Sequence, residues 1–254
     1  MDTSIQLTYL LSAILFVVGL KRLQSPATAR KGNGLAALAM LLAVIATVLE
    51  TQILDWTWIL VGVLLGGVIG TAAARLVEMT SMPELVGIFN AFGGGASALV
   101  AIAEFLATPG IGASTTGVTI LLGTLIGSVT FTGSFIAFAK LQGLMTGNPI
   151  IFPFQNAFNA LLLLAAVSLG AMTLGVFGSG DPQTLFYMFC GLALILGVLL
   201  VIPIGGADMP VVVSLLNSYS GLAASAAGFV IGNTVLIISG ALVGASGLIL
   251  TQLM

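Results

Sequence analysis

Histidine is absent from the 254 residues, cysteine occurs once, and only 6% of the chain is charged. Without histidine the chain lacks the commonest metal ligand and the usual proton shuttle near neutral pH. The lone Cys190 excludes an internal disulfide and a cysteine-rich metal site. Six Lys and Arg against eight Asp and Glu leave no basic patch for nucleic acid. No Gly-x-Gly-x-x-Gly follows a strand, no P-loop is present, and no metal-ligand cluster stands out. Gly93-Gly94-Gly95 lies inside an apolar run and is not a dinucleotide loop. The chain alone is therefore expected to bind no nucleotide, cofactor or metal.

A soluble domain carries about 25% charged residues. At 6% charged and 59% hydrophobic, this chain cannot cover a globule with polar surface. Its apolar residues come in runs of about 20, the helix length for a bilayer, rather than in alternating blocks of about 10. The expectation is an all-α integral membrane protein, one transmembrane domain over 1–254 with about nine spans. These fall near 4–20, 34–49, 56–75, 81–108, 116–140, 156–177, 185–202, 208–231 and 233–254. The first lacks a basic leader and follows Asp2, so it reads as a span, not a cleaved signal. Pro26 is expected to break helix in the first loop, and Thr108-Pro109-Gly110 to end the fourth span. Trp56 and Trp58 suit a membrane interface. Gly62, Gly66 and Gly70 suggest close packing in span three, as do Gly240, Gly244 and Gly247 in span nine.

Lys21, Arg22, Arg30, Lys31, Arg75 and Lys140 all fall at alternate turns on one side. That side is expected to be cytoplasmic. Asp2, Glu50, Asp55 and Asp181 fall opposite, so the N-terminus is expected outside and the C-terminus inside.

One stretch returns. Ser81-Met82-Pro83 leads through six mostly apolar residues to Asn90, and Asp208-Met209-Pro210 leads through six more to Asn217. Each Asn lies seven residues beyond its Pro, about 10 Å along a helix. An amide at that depth needs a partner or water. It serves either a polar site that handles water, a proton or an ion, or plain interhelical hydrogen bonding. Asn90, Ser97 and Glu104 are spaced by seven and form one stripe. Glu104 is also readable as an ordinary interfacial carboxylate. Gly123, Gly127, Thr130 and Ser134 share a face of span five, and Thr130 and Ser134 extend the seam unless they bond their own backbone. Ser81 with Glu84 has capping-box spacing, and Asp208 is placed to cap span eight or to meet something docking there. From these features a proton channel, a self-contained transporter or cation channel with parallel repeats, and a structural scaffold all remain open.

The run Gly205-Gly206-Ala207-Asp208-Met209-Pro210-Val211-Val212-Val213-Ser214, continuing to Leu216-Asn217-Ser218-Tyr219-Ser220-Gly221, resembles the beta subunit of the proton-translocating NAD(P) transhydrogenases. Glu78-Met79-Thr80, Met82-Pro83-Glu84-Leu85-Val86, Thr130-Phe131-Thr132-Gly133-Ser134 and Gly240-Ala241-Leu242-Val243-Gly244 carry the resemblance along the chain. It implies hydride transfer from NADH to NADP coupled to inward proton movement, with NAD(H) and NADP(H) held by other domains. It also implies a dimer in a bacterial inner membrane, an alpha subunit with its own membrane helices, and an NADP-binding domain beyond Met254. By resemblance, the positions of Asn217, Ser134, Asp208 and Gly247 serve proton passage or coupling. One departure matters: many bacterial members carry histidine where this chain has Asn90. Asparagine does not titrate, so Asn90 is expected to hold water while a partner group titrates.

Overall fold

The computed structural model describes residues 3–50, 56–108 and 110–254, with the side chain of Glu50 excepted. Asp2, Asp55 and Pro109 lie outside the described residues. Among those described there are nine helices long and apolar enough to cross a membrane, and no strand. The chain is an all-α multi-span membrane protein. It divides into two compact units, Met1–Val77 and Glu78–Met254.

In the first unit, α1 (Thr3–Leu23) and α2 (Pro26–Glu50) form a hairpin, followed by α3 (Trp56–Leu76). Pro26 does not break helix in a long loop. It is the first residue of α2, where its missing N–H costs nothing, so α2 starts well before the expected position 34. The Thr28 hydroxyl donates to Arg22 O at 2.7 Å and holds the tight turn. The hairpin is close because its contact residues are small: Gly32, Ala39 and Ala46 recur every seven positions on the buried face of α2. Ser12 Oγ donates to Ala39 O at 2.6 Å, and Tyr9 Oη and Thr47 Oγ1 lie 2.9 Å apart. Gly62, Gly66 and Gly70 of α3 meet nothing within 4 Å inside this unit, so the expected packing face has no partner there.

The second unit holds α4 (Met82–Ala107), α5 (Thr115–Leu141), α6 (Gln155–Thr173), α7 (Pro182–Val201), α8 (Met209–Ile231) and α9 (Thr234–Leu253). The two repeated stretches have the same local build. A single 3-10 turn, Met79–Ser81 or Gly206–Asp208, leads to a helix that starts on Met with Pro in its first turn. Neither expected cap forms. Ser81 (φ −96°, ψ 11°) and Asp208 (φ −91°, ψ −1°) are not extended, so their side chains are not aimed at the orphan amides. Glu84 instead accepts a hydrogen bond from Gln142 Nε2 at the end of α5. Where the preceding residue is extended, caps do form: Ser114 on α5, Asp181 on α7 and Asn233 on α9. Gly232 stops α8 in the left-handed region at φ 69°.

Asp181 Oδ2 accepts from both the amide and the hydroxyl of Thr184, at 2.9 and 2.7 Å. The Thr184 hydroxyl, then its amide, holds the carboxyl below its ordinary 3.8. A depressed acid stabilises the fold above its unfolded value and loses that contribution as pH falls through the folded one. Protection of the Thr184 amide from hydrogen exchange should therefore hold at neutral pH and fall below about pH 4. Asp181→Ala should remove that pH dependence. Equal acid sensitivity in both proteins would refute the cap.

Helix α5 occupies the centre, packed by α4, α7 and α8; α8 in turn touches α4, α5 and α9, and α6 covers α7. Two apolar clusters hold the unit. One gathers Ala101, Phe105, Ile120, Ala166, Phe186, Phe189 and Val230, with Phe105 and Phe186 stacked 3.9 Å apart. The other gathers Ala137, Val201, Met209, Val212, Val213 and Leu216 toward the opposite end. In lipid there is no hydrophobic drive between helices, so close approach and hydrogen bonds must hold them. Glycines supply the approach. A Cβ on Gly127 would stand 2.7 Å from Gly94 O, and one on Gly221 would stand 2.5 Å from Gly244 N.

A buried amide between three helices

Between the two apolar clusters, along α5 and α8, lies a polar crossing. Asn90 of α4 is 7% exposed. Its Nδ2 donates to Ser134 Oγ of α5 at 2.9 Å, and its Oδ1 accepts from Ser220 Oγ of α8 at 2.7 Å. Ser220 Oγ also lies 3.4 Å from Asn90 O. The sequence explains this placement. On α4 the residues Gly87, Asn90, Ala91, Gly94, Ser97, Ala98, Ala101 and Phe105 fall on one face and are the buried ones. Gly94 and Gly127 let α4 and α5 close to backbone contact, bringing a short Asn and a short Ser within reach.

The other expected site residues are arranged differently. Ser97 is buried, but its hydroxyl donates to Gly93 O of its own helix at 3.2 Å. Glu104 accepts from Thr108 Oγ1 at 3.2 Å, one turn away. The stripe is thus present as a face, but its members do not bond one another. Thr130 likewise donates to Ile126 O of its own helix. Gly247 lies against Ser218, where a Cβ would stand 2.8 Å from Ser218 Cβ. Asp208 sits in the turn before α8 and caps nothing.

Asn217 does not join Asn90. It is exposed and has no hydrogen bond among the described residues. The equal offset from Met-Pro sets equal depth, but the azimuth is set by neighbours. Ser220 bonds α4 on one side of α8, while Ser218 Oγ donates to Gly244 O of α9 on the other. Asn217 lies about 60° from Ser220 and about 100° from Ser218 on the helical wheel, on the strip left open between α4 and α9.

Three residues of this region were not singled out from the sequence alone. Ser220 sits three residues beyond Asn217, one helical turn on, and that spacing was the available signal. Ser218 is fully buried and glues α8 to α9. Thr124 carries a fully buried hydroxyl that bonds no protein group.

The crossing orders its protons. Ser220 donates to the amide oxygen, the amide nitrogen donates to Ser134, and the Ser134 proton is left to point onward. An amide neither gains nor loses a proton near neutrality, so Asn90 orients two hydroxyls and does not itself relay. Asn90→Ala leaves both serines without that partner inside the unit. It should cost about 1–3 kcal/mol of stability, the penalty of an unmet buried polar group. Thermal unfolding of the purified chain checks this, and an unchanged transition would show that the crossing contributes nothing.

Comparison with known proteins places the chain. Two curated sequences from Rhodospirillum rubrum, each named NAD(P) transhydrogenase subunit beta, are 44% identical to it over 253 residues, 97% of this chain and 54% of theirs. The chain thus spans about half the length of the curated relatives it matches. Residues 5–254 match the family described as the NAD(P) transhydrogenase beta subunit, and the chain belongs to that family.

Proposed function

We propose that this chain supplies the membrane path of a proton-translocating NAD(P) transhydrogenase, in which inward proton movement drives hydride transfer from NADH to NADP+ in soluble domains. The observation that carries the reading is the Asn90–Ser134–Ser220 crossing, a buried, hydrogen-bonded polar junction between three apolar helices. In hydrocarbon such a junction is costly, and polar groups at this depth mark ion or proton pathways. Family membership favours this reading over a self-contained transporter.

In this mechanism a proton enters from outside, passes water held by Glu104, Ser97 and Thr124, and reaches the hydroxyls ordered by Asn90. The titrating group belongs to a membrane helix of the alpha subunit. That helix covers the open strip of α8, where Asn217 offers its unpaired amide. Asp208, in the turn before α8, meets the NADP-binding domain on the cytoplasmic side, and Gly247 keeps α9 tight on α8 as the nucleotide state biases the pair. The complex is a dimer in the inner membrane. The N-terminus is outside and Met254 is on the cytoplasmic side, following the basic residues.

The test is proton uptake by vesicles carrying the complete complex, driven by NADPH and an NAD analogue. Asn90→Ala should lower uptake about tenfold or more, a loss of about 1.4 kcal/mol in the barrier. Hydride exchange between the soluble domains should survive. Uptake at the native rate would make the α4 face structural and remove Asn90 from the path.

A further inference from the structure

Lys140 lies in the last turn of α5 yet is only 4% exposed. A lysine at the end of a membrane helix ordinarily extends its ammonium to the interface. This one turns inward, and its partners are all backbone carbonyls: Ile202 O at 2.6 Å, Ile204 O at 2.7 Å and Asn148 O at 3.4 Å. Ile202 and Ile204 stand at the C-terminal end of α7, where the helix dipole and the unmet carbonyls are negative. Asn148 belongs to the loop between α5 and α6. One cation therefore joins two segments far apart in the chain.

Two backbone bonds close the same seam. Gly206 N donates to Gly147 O at 2.8 Å, and Ile150 N donates to Ile202 O at 3.3 Å. The latched turn runs through Gly205 and Gly206 to Asp208 and then to Met209, which is fully buried as the first residue of α8. A buried charge is a poor choice for stability alone, since an apolar side chain of similar size often serves as well or better. What an apolar residue cannot do is hold three carbonyls from two segments in one place.

We propose that Lys140 is a positioning residue for coupling: its ammonium, gripped by carbonyls of the α5–α6 loop and the α7–α8 turn, fixes where Asp208 is presented and where α8 begins. The proposal rests on the reading given under Proposed function. Its physical content is that loss of the charge frees the turn, and the start of α8 then no longer follows what happens at Asp208. Helix α8 carries Ser220 and Asn217, so slack at its start is felt at the crossing.

The test uses the complete enzyme in detergent, as the native protein, Lys140→Met and Lys140→Ala. Hydrogen exchange at the Gly206 and Ile150 amides should rise about tenfold or more in both variants, while amides of α1 and α2 keep native rates. Hydride transfer from NADPH to an NAD analogue should fall about tenfold. Added n-propylammonium should return Lys140→Ala to within about threefold of native turnover, and n-propanol, of similar shape without charge, should not. Native exchange rates in the variants overturn the proposal. So does raised exchange with native turnover, or rescue by the alcohol as good as by the ammonium. Should Lys140→Ala fail to fold, Lys140→Met carries the exchange and turnover arms. Asn90→Ala in parallel separates the two ideas: it should lose proton uptake with native exchange at Gly206. Native uptake there sinks the proton-path reading whatever Lys140 does.

Discussion

Asn217→Leu in the complete enzyme is expected to lower proton-coupled turnover about tenfold or more, at least 1.4 kcal/mol in the barrier. The fold of α4 to α9 should survive. The reason is where the residue stands. Asn217 is exposed on α8, bonds nothing among the described residues, and occupies the strip between α4 and α9. Leucine there removes no hydrogen bond within the unit, so the melting point of the purified chain should move by less than about 2 °C. Under the proposed function, what it removes is the amide that faces the proton path of the assembled complex. Coupled turnover and thermal unfolding, measured on the same preparation, decide the matter. Full coupled activity would remove Asn217 from the proton path. A collapsed fold would show that the side chain is structural after all.

The second large effect is mechanical. Gly221→Val should destabilise the second unit by about 3 kcal/mol, at the upper end for overpacking. A Cβ at 221 would lie 2.5 Å from Gly244 N and 2.8 Å from Gly240 O. Both are backbone atoms, so no rotamer change relieves the clash and α9 must move away from α8. Gly93→Ala is the matched control. Nothing lies within 4 Å of a Cβ there, and the change should stay within about 0.5 kcal/mol. Unfolding in detergent mixtures compares the two. Equal transitions would mean that α8 and α9 do not meet at these glycines.

The span pattern was legible because hydrocarbon tolerates few structures. Runs of about 20 apolar residues with few charges read directly as helices. The glycine faces of α5 and α9 were legible for the same reason, since small residues at three- and four-residue steps mark contact. The same pattern on α3 has no partner in its unit, so spacing alone shows a capacity for contact and not the contact itself. Pro26 shows a second limit: a proline starts a helix as readily as it interrupts one, and the tertiary turn decides. Ser81 and Asp208 show a third. Capping depends on an extended backbone, and the 3-10 turns before α4 and α8 remove it. The matched Asn pair was legible as equal depth, but not as equal facing. Azimuth is set by which helices surround each copy, and α8 is flanked by α4, α5 and α9 where α4 packs chiefly on α5 and α8. Lys140 read as an ordinary basic residue at a helix end. Its inward turn depends on carbonyls some sixty residues away in sequence, which no local pattern reports.

The contact between α8 and α9 is made largely of backbone and hydroxyls. Gly221, Gly240 and Gly244 meet without intervening side chains, and Ser218 and Ser225 donate to carbonyls of α9. Hydrophobic attachment weakens on cooling, because its driving force near room temperature is entropic. Dispersion between close backbones and hydrogen bonds to carbonyls are enthalpic. The α8–α9 pair therefore tightens in the cold, when surrounding lipid stiffens, and it is on warming that the two helices become free to shift against each other.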